Sequence, residues 1–265
     1  SEGLRILSYP SGKTAGTLLT GKHDLDIVTA NPSTGDVLVN VGATIYDSHG
    51  GQKPIAQIPT PPGMMPVAFA FDITSSAIAV TYQRITTGYV YVYASPSSTP
   101  TVYSVPSMAY TGFIGYDDQG NLFVDGKTTS ASPVFAELVK GTGGFINLTL
   151  DQSLTNMGSV QWDGSYITVT NGASINELEI AGSSAHVVSR IALDGAWARH
   201  PTSWIQDGTV LMAHQSNGHT HSGRALGYWS YPNGGAAFKV LNDIVANKHT
   251  WIISEAVSQA ANEPQ

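Results

Sequence analysis

The amino-acid sequence predicts an all-β fold: a six-bladed β-propeller with four-stranded blades, the ring closed by N- and C-terminal strands that share one blade. Three observations lead there. A strand–turn–strand pattern recurs, with "YPSGKTAGTLL" at residues 9–19 returning as "YPNGGAAFKVL" at 231–241. The copies follow one another at about 44 residues, the length of a four-stranded propeller blade. No stretch carries the 3.6-residue apolar period of a long amphipathic helix.

The elements follow in chain order. Residues 5–9 and 14–19 read as two strands joined by a Gly/Ser turn, the outer pair of the shared blade. Five inner hairpins come next: "DIVTANPSTGDVLVNV", "AFAFDITSSAIAVTY", "FIGYDDQGNLFVDG", "SVQWDGSYITVTN" and "SWIQDGTVLMAH". Each joins two short apolar strands through an Asx/Gly/Ser turn, with Asp117, Asp118, Asp163 and Asp207 as turn formers. Outer pairs alternate with them, among them "YDSHGGQKPIAQI" and "IAGSSAHVVSRIAL". "TWIISEAVSQ" supplies the inner strand of the sixth blade; either residues 255–265 form its second strand or that blade has three strands. The whole chain, 1–265, is thus one domain, with blades at about 23–60, 65–106, 110–150, 157–193, 200–241, and 249–265 plus 1–19.

Composition narrows the function. Twelve Lys and Arg against 19 Asp and Glu leave a net charge of −7. That balance argues against nucleic acid, which is bound through phosphate contacts from basic side chains. No apolar run reaches the ~18 residues that cross a bilayer, so no membrane insertion is expected. Cysteine is absent, which removes a disulfide framework, a thiol nucleophile and Cys-ligated zinc. Only 12% of residues are charged. The resulting Gly/Ser/Thr-rich surface fits a secreted, extracellular or periplasmic protein.

The histidines are the candidate chemistry. His23, His200 and His249 occupy one repeat position, just before the first strand of a blade, in three blades adjacent around a closed ring. The other copies place Met65, Tyr110 and Met157 there. This position lies at the mouth of the central channel, on the face where long loops emerge. Neutral imidazoles converging there are the ligand set of a catalytic zinc site with an open position. The neighbouring methionines would also suit copper. One divalent metal, zinc or copper, is therefore the cofactor such a site would take. Tyr110 fits a general base or proton donor, and Arg199 a catalytic cation. His214, His219, His221 and Arg224, in the loop "HQSNGHTHSGR", are read as the wall that contacts substrate. The bland readings stand beside these: a solvated polar loop, a hydrogen-bonded lining of a wet pore, and Met65 and Met157 as packing between blades.

"YPSGK", "DIVTANPSTGDVLV" and "GYDDQGNLFVDG" resemble NHL-type six-bladed propellers, and most of all the streptogramin (virginiamycin B) lyase-like proteins of soil bacteria. The resemblance spans nearly the whole chain. It implies a metal-assisted lyase or hydrolase acting on a small molecule or glycan. A non-catalytic binding or scaffold propeller with an extracellular protein partner is the other expectation, since one fold hosts many functions.

Overall fold

The computed structural model describes residues 5–9, 11, 13–17, 27–47, 53–83, 87–156, 158–198, 201–215, 225–242, 244, 252 and 254–257. β1 (Arg5–Ser8) and β2 (Lys13–Thr17) form a two-stranded antiparallel sheet. β3 (Val28–Ala30), β4 (Val37–Val39), β5 (Thr44–Tyr46) and β6 (Pro54–Gln57) form the first four-stranded blade, each strand paired to the next. The second blade is β7 (Met65–Phe71), β8 (Ile78–Gln83), β9 (Tyr89–Tyr93) and β10 (Thr101–Ser104). The third is β11 (Tyr110–Tyr116), β12 (Leu122–Lys127), β13 (Pro133–Leu138) and β14 (Ile146–Asn147). After the bridging β15 (Thr149–Leu150) comes the fourth, β16 (Val160–Trp162), β17 (Ile167–Thr170), β18 (Ser174–Ala181) and β19 (Ser184–Asp194). The fifth holds β20 (Ser203–Gln206), β21 (Thr209–His214), β22 (Ala225–Ser230) and β24 (Lys239–Leu241). β23 (Gly235–Ala236) pairs in parallel with the end of β19.

These sheets are the blades of a β-propeller. Where the sequence anticipates six, the described residues form five four-stranded blades and the β1–β2 sheet. Beyond Val257 the candidate second strand of the sixth blade lies outside the described residues.

The turns form for a local reason. In the third blade, the Asp117 carboxylate accepts from the backbone N–H of Gln119 at 2.9 Å and of Asn121 at 2.8 Å, and Gly120 takes a positive φ of 82°. Asp163 accepts from Ser165 and Tyr166 N–H, each at 2.7 Å. Asn31 and Asp72 do the same in the first two blades. Asx side chains supply the acceptor that a tight turn otherwise lacks. Asp207 and Gly208, both at positive φ, make the two-residue turn of the fifth.

The core is distributed between blades, because every middle strand is buried on both faces. Alternate residues point to opposite neighbours. Val210 and Met212 of β21 pack toward the fourth blade with Ile175 and Ile191, while Leu211 packs the other way. Leu211, Leu226 and Tyr228 meet Leu7 and Tyr9 from the N-terminus and Ile252 and Val257 from the C-terminus. The Tyr9 hydroxyl donates to the Gln206 carbonyl at 3.3 Å, and Ser254 Oγ accepts from Val28 N–H at 3.2 Å. Both chain ends therefore touch the fifth blade, and the C-terminal segment also reaches the first.

Polar bonds join blades near the axis. The fourth residue of the second strand repeats this role in three successive blades. Thr81 Oγ1 donates to the Gly112 carbonyl at 2.8 Å, Asp125 accepts from Gly158 N–H at 2.7 Å, and Thr170 and Ser203 share a hydroxyl bond of 2.6 Å. Asp125 has a second task. The β11–β12 pairing slips between Thr111 and Ile114, so two residues face one and the Phe113 N–H leaves the ladder. The Asp125 carboxylate captures it at 2.5 Å.

Candidate functional site

Inner strands present one open edge to the axis, and there they enclose a cavity of about 60 Å³. Short segments line it at corresponding heights: residues 27–29, 68–69, 113–114, 159–161, 202–204 and 254–255. Among the described residues, two of its groups lack partners: both Glu255 carboxylate oxygens are buried without a hydrogen-bond partner, and so is Trp204 Nε1. Burial pushes the Glu255 carboxyl well above the ordinary carboxylate range, and the Thr202 hydroxyl beside it pulls the other way. An unpaired donor and an unpaired acceptor on one small polar cavity are the setting in which bridging water is held.

Three residues farther along the inner strands, about 10 Å at ~3.3 Å per residue, is the channel mouth. Met65 opens β7 and is 51% exposed; Tyr110 opens β11 and is 56% exposed. The expectation that Met65 packs between blades is corrected: it stands in solvent, because it is the first residue of β7, whose buried positions begin only at Ala68. His23, His200, His249, Arg199 and Met157 lie outside the described residues, as do His219, His221 and Arg224. Among the described residues no group of three His, Asp or Glu is placed to hold a metal ion.

His214 ends β21 and is half-buried. Its ring stacks on Trp229 with centroids 5.6 Å apart, and Nδ1 lies 2.5 Å from the Gln215 carbonyl oxygen. The glycine at 195 leaves room for the ring: a Cβ there would fall against His214 Nε2. These contacts seat His214 beside the link between the fourth and fifth blades. Trp229 and Trp197 are buried, as packing residues would be, and Trp204 packs against the Leu211, Leu226 and Tyr228 cluster while also lining the axial cavity.

The opposite face carries a larger recess of about 410 Å³, between the third and fourth blades. The turns at Asp117–Asn121 and Ser165–Tyr166 border it. Phe123, Trp162 and Tyr166 supply apolar wall, and Glu137 projects into it from β13. Burial and then the nearby Asp117 push the Glu137 carboxyl above its ordinary value.

Sequence reading passed over Glu255, Glu137 and Asp125. Glu255 had a visible signal, a carboxylate inside the apolar run "WIISEAV". So had Asp125, in "NLFVDG". Glu137 reads as an ordinary polar residue of an outer strand.

No family model matches the chain, and no curated protein sequence matches it significantly. Solved structures do. A crystal structure of a nidogen/laminin complex matches with a TM-score of 0.69 and 11% identity, over 96% of this chain and 94% of the other. A protein of unknown function from Bacteroides caccae matches with a TM-score of 0.60 and 14% identity, over 90% and 89%. The β-propeller domain of Myceliophteria thermophila Cps50 (Swd1) matches with a TM-score of 0.59 and 10% identity, over 90% and 79%. At such identities the likeness is one of fold, and it agrees with the blades described above: the chain is an all-β propeller built of four-stranded blades.

Proposed function

We propose that this chain is a secreted binding propeller of six blades whose channel-mouth face receives its ligand. The observation that carries the reading is the exposure of Met65 and Tyr110, large side chains at one repeat position of the second and third blades. Large apolar side chains left in water at corresponding points of a ring mark a contact surface. Six-fold closure is supported by the axial cavity, which is lined by six segments, the last from the C-terminal residues 254–255. The contacts of both chain ends with the fifth blade support it too. A small molecule or glycan, held by the mouth and the loop carrying His219, His221 and Arg224, is the ligand class of this reading. A protein partner fits the same face, and a similar fold occurs in the crystal of a nidogen/laminin complex. A thermal-shift panel of glycans and small metabolites tests the reading, because a ligand of the folded state raises the melting temperature. At least one compound stabilises the chain if the reading holds; a panel without any stabilising compound counts against it.

A second reading is a metal-assisted lyase or hydrolase, with zinc or copper on His23, His200 and His249 and with Tyr110 and Arg199 as acid–base and anion-binding groups. It is supported by the resemblance to streptogramin lyase-like propellers and by the solvent-exposed phenol of Tyr110 at the mouth. Metal analysis of untagged protein tests it: about one equivalent of metal, lost in His200→Ala, supports it, and none after soaking in each ion removes it.

A further inference from the structure

The recess between the third and fourth blades opens on the face away from the channel mouth, so what it binds is independent of the reading above. Its chemistry is one-sided. Glu137 is 6% exposed and lines the recess. No hydrogen bond reaches its carboxylate among the described residues. Asp117, by contrast, is committed to its own turn, accepting from Gln119 and Asn121. Asp118 and Glu179 line it as exposed residues, and Trp162 and Tyr166, both half-buried, line it too. Among the described residues no lysine or arginine lines the recess. Lys140, beside the lining residue Val139, donates instead to the Thr74 hydroxyl of the second blade.

A mostly buried carboxylate without a hydrogen bond among the described residues is costly unless a cation or a proton meets it. Aromatic rings lining the same recess favour a cation on an apolar stem, which gains from ring contact and burial of its methylenes. We infer that this groove binds a single lysine or arginine side chain of a partner polypeptide, the cationic head on Glu137 and the alkyl stem against Trp162 and Tyr166. The single buried carboxylate selects one head group. A polyamine, whose charges are strung along a chain, would need a row of equally buried carboxylates, and the other acids here are exposed or tied to a turn. The exposed charges Asp118 and Glu179 then steer the approach, in keeping with the net charge of −7.

The test is a two-dimensional NMR titration of the intact chain with the N-acetyl methylamides of lysine, arginine and norleucine, and with spermidine. The expected result is a shift of the Trp162 indole and of the turn amides at Gln119 and Ser165 with the lysine or arginine derivative. Norleucine, which shares the stem without the charge, binds at least about tenfold more weakly. Glu137→Gln, near-isosteric and free of the buried charge, folds and loses cation binding by a similar factor. Equal binding of norleucine, undiminished binding by Glu137→Gln, tighter binding of spermidine, or no shift with any probe at its solubility limit would each overturn the assignment.

Discussion

Replacing Asp125 by alanine tests how the blades are held together. Its carboxylate accepts two backbone N–H groups that have no other partner among the described residues: Phe113, released by the β11 bulge, at 2.5 Å, and Gly158, where the fourth blade begins, at 2.7 Å. The side chain is almost fully buried, so water does not replace it in the variant. Each orphaned donor costs about 1–3 kcal/mol, and two of them give a loss of about 2–6 kcal/mol. For a chain of this length that lowers the melting temperature by about 4–11 °C. Asp125→Asn keeps one acceptor oxygen and turns an amide NH2 toward the other donor, so it falls between wild type and Asp125→Ala. Denaturant unfolding followed by tryptophan fluorescence measures both. A loss below about 1 kcal/mol for Asp125→Ala would refute the argument, because it would mean that both N–H groups find other acceptors.

Further expectations rest on the same contacts. Thr81→Val and Thr170→Val each remove one buried inter-blade hydroxyl bond and cost about 1 kcal/mol; the double variant adds them, since the bonds lie at different interfaces, and strong non-additivity in denaturant unfolding argues against independent latches. Gly115→Ala places a methyl group against the Val160 carbonyl of the next blade, where backbone cannot yield, and destabilises by about 1–3 kcal/mol; an unchanged melting temperature contradicts that packing. Stability also depends on pH in a definite direction. Burial pushes the Asp125 carboxyl up to about 8, against the pull of the Gly158 and Phe113 N–H groups, and raises Glu255 as well. Unfolded carboxyls titrate near ~4, so above that pH the folded chain holds more protons, and its stability falls as pH rises through the folded values. Asp72 and Asp151 are shifted down, so their opposite contribution belongs to lower pH. Melting temperature measured across about pH 5–8 therefore declines in wild type and declines less in Glu255→Gln; a rise would refute the burial argument.

The repeat made the fold readable. Turn chemistry at Asp117, Asp163 and Asp207 is local, and strands such as "LFVDG" and "VLMAH" are apolar because blades cover both faces. What is read off neighbouring residues therefore survives into the structure. Contacts between blades are different. Thr81, Asp125 and Thr170 bond to residues more than thirty positions away, and each looks like an ordinary strand residue until the ring brings its partner near. Met65 failed because an apolar residue beside an apolar strand reads as core, whereas the buried part of β7 begins only at Ala68. That Tyr110 begins an inner strand was legible because the repeat alone sets its position. Glu137 was not, since its isolation is made by two blades meeting.

The central claim, that the channel mouth is the binding face, is tested most directly by the first stabilising compound from the panel. Its affinity is measured for two variants side by side, Tyr110→Ala at the mouth and Trp162→Ala in the opposite groove. Weakened binding in Tyr110→Ala and wild-type binding in Trp162→Ala are the expected outcome. Wild-type affinity in Tyr110→Ala, with loss in Trp162→Ala, would contradict it.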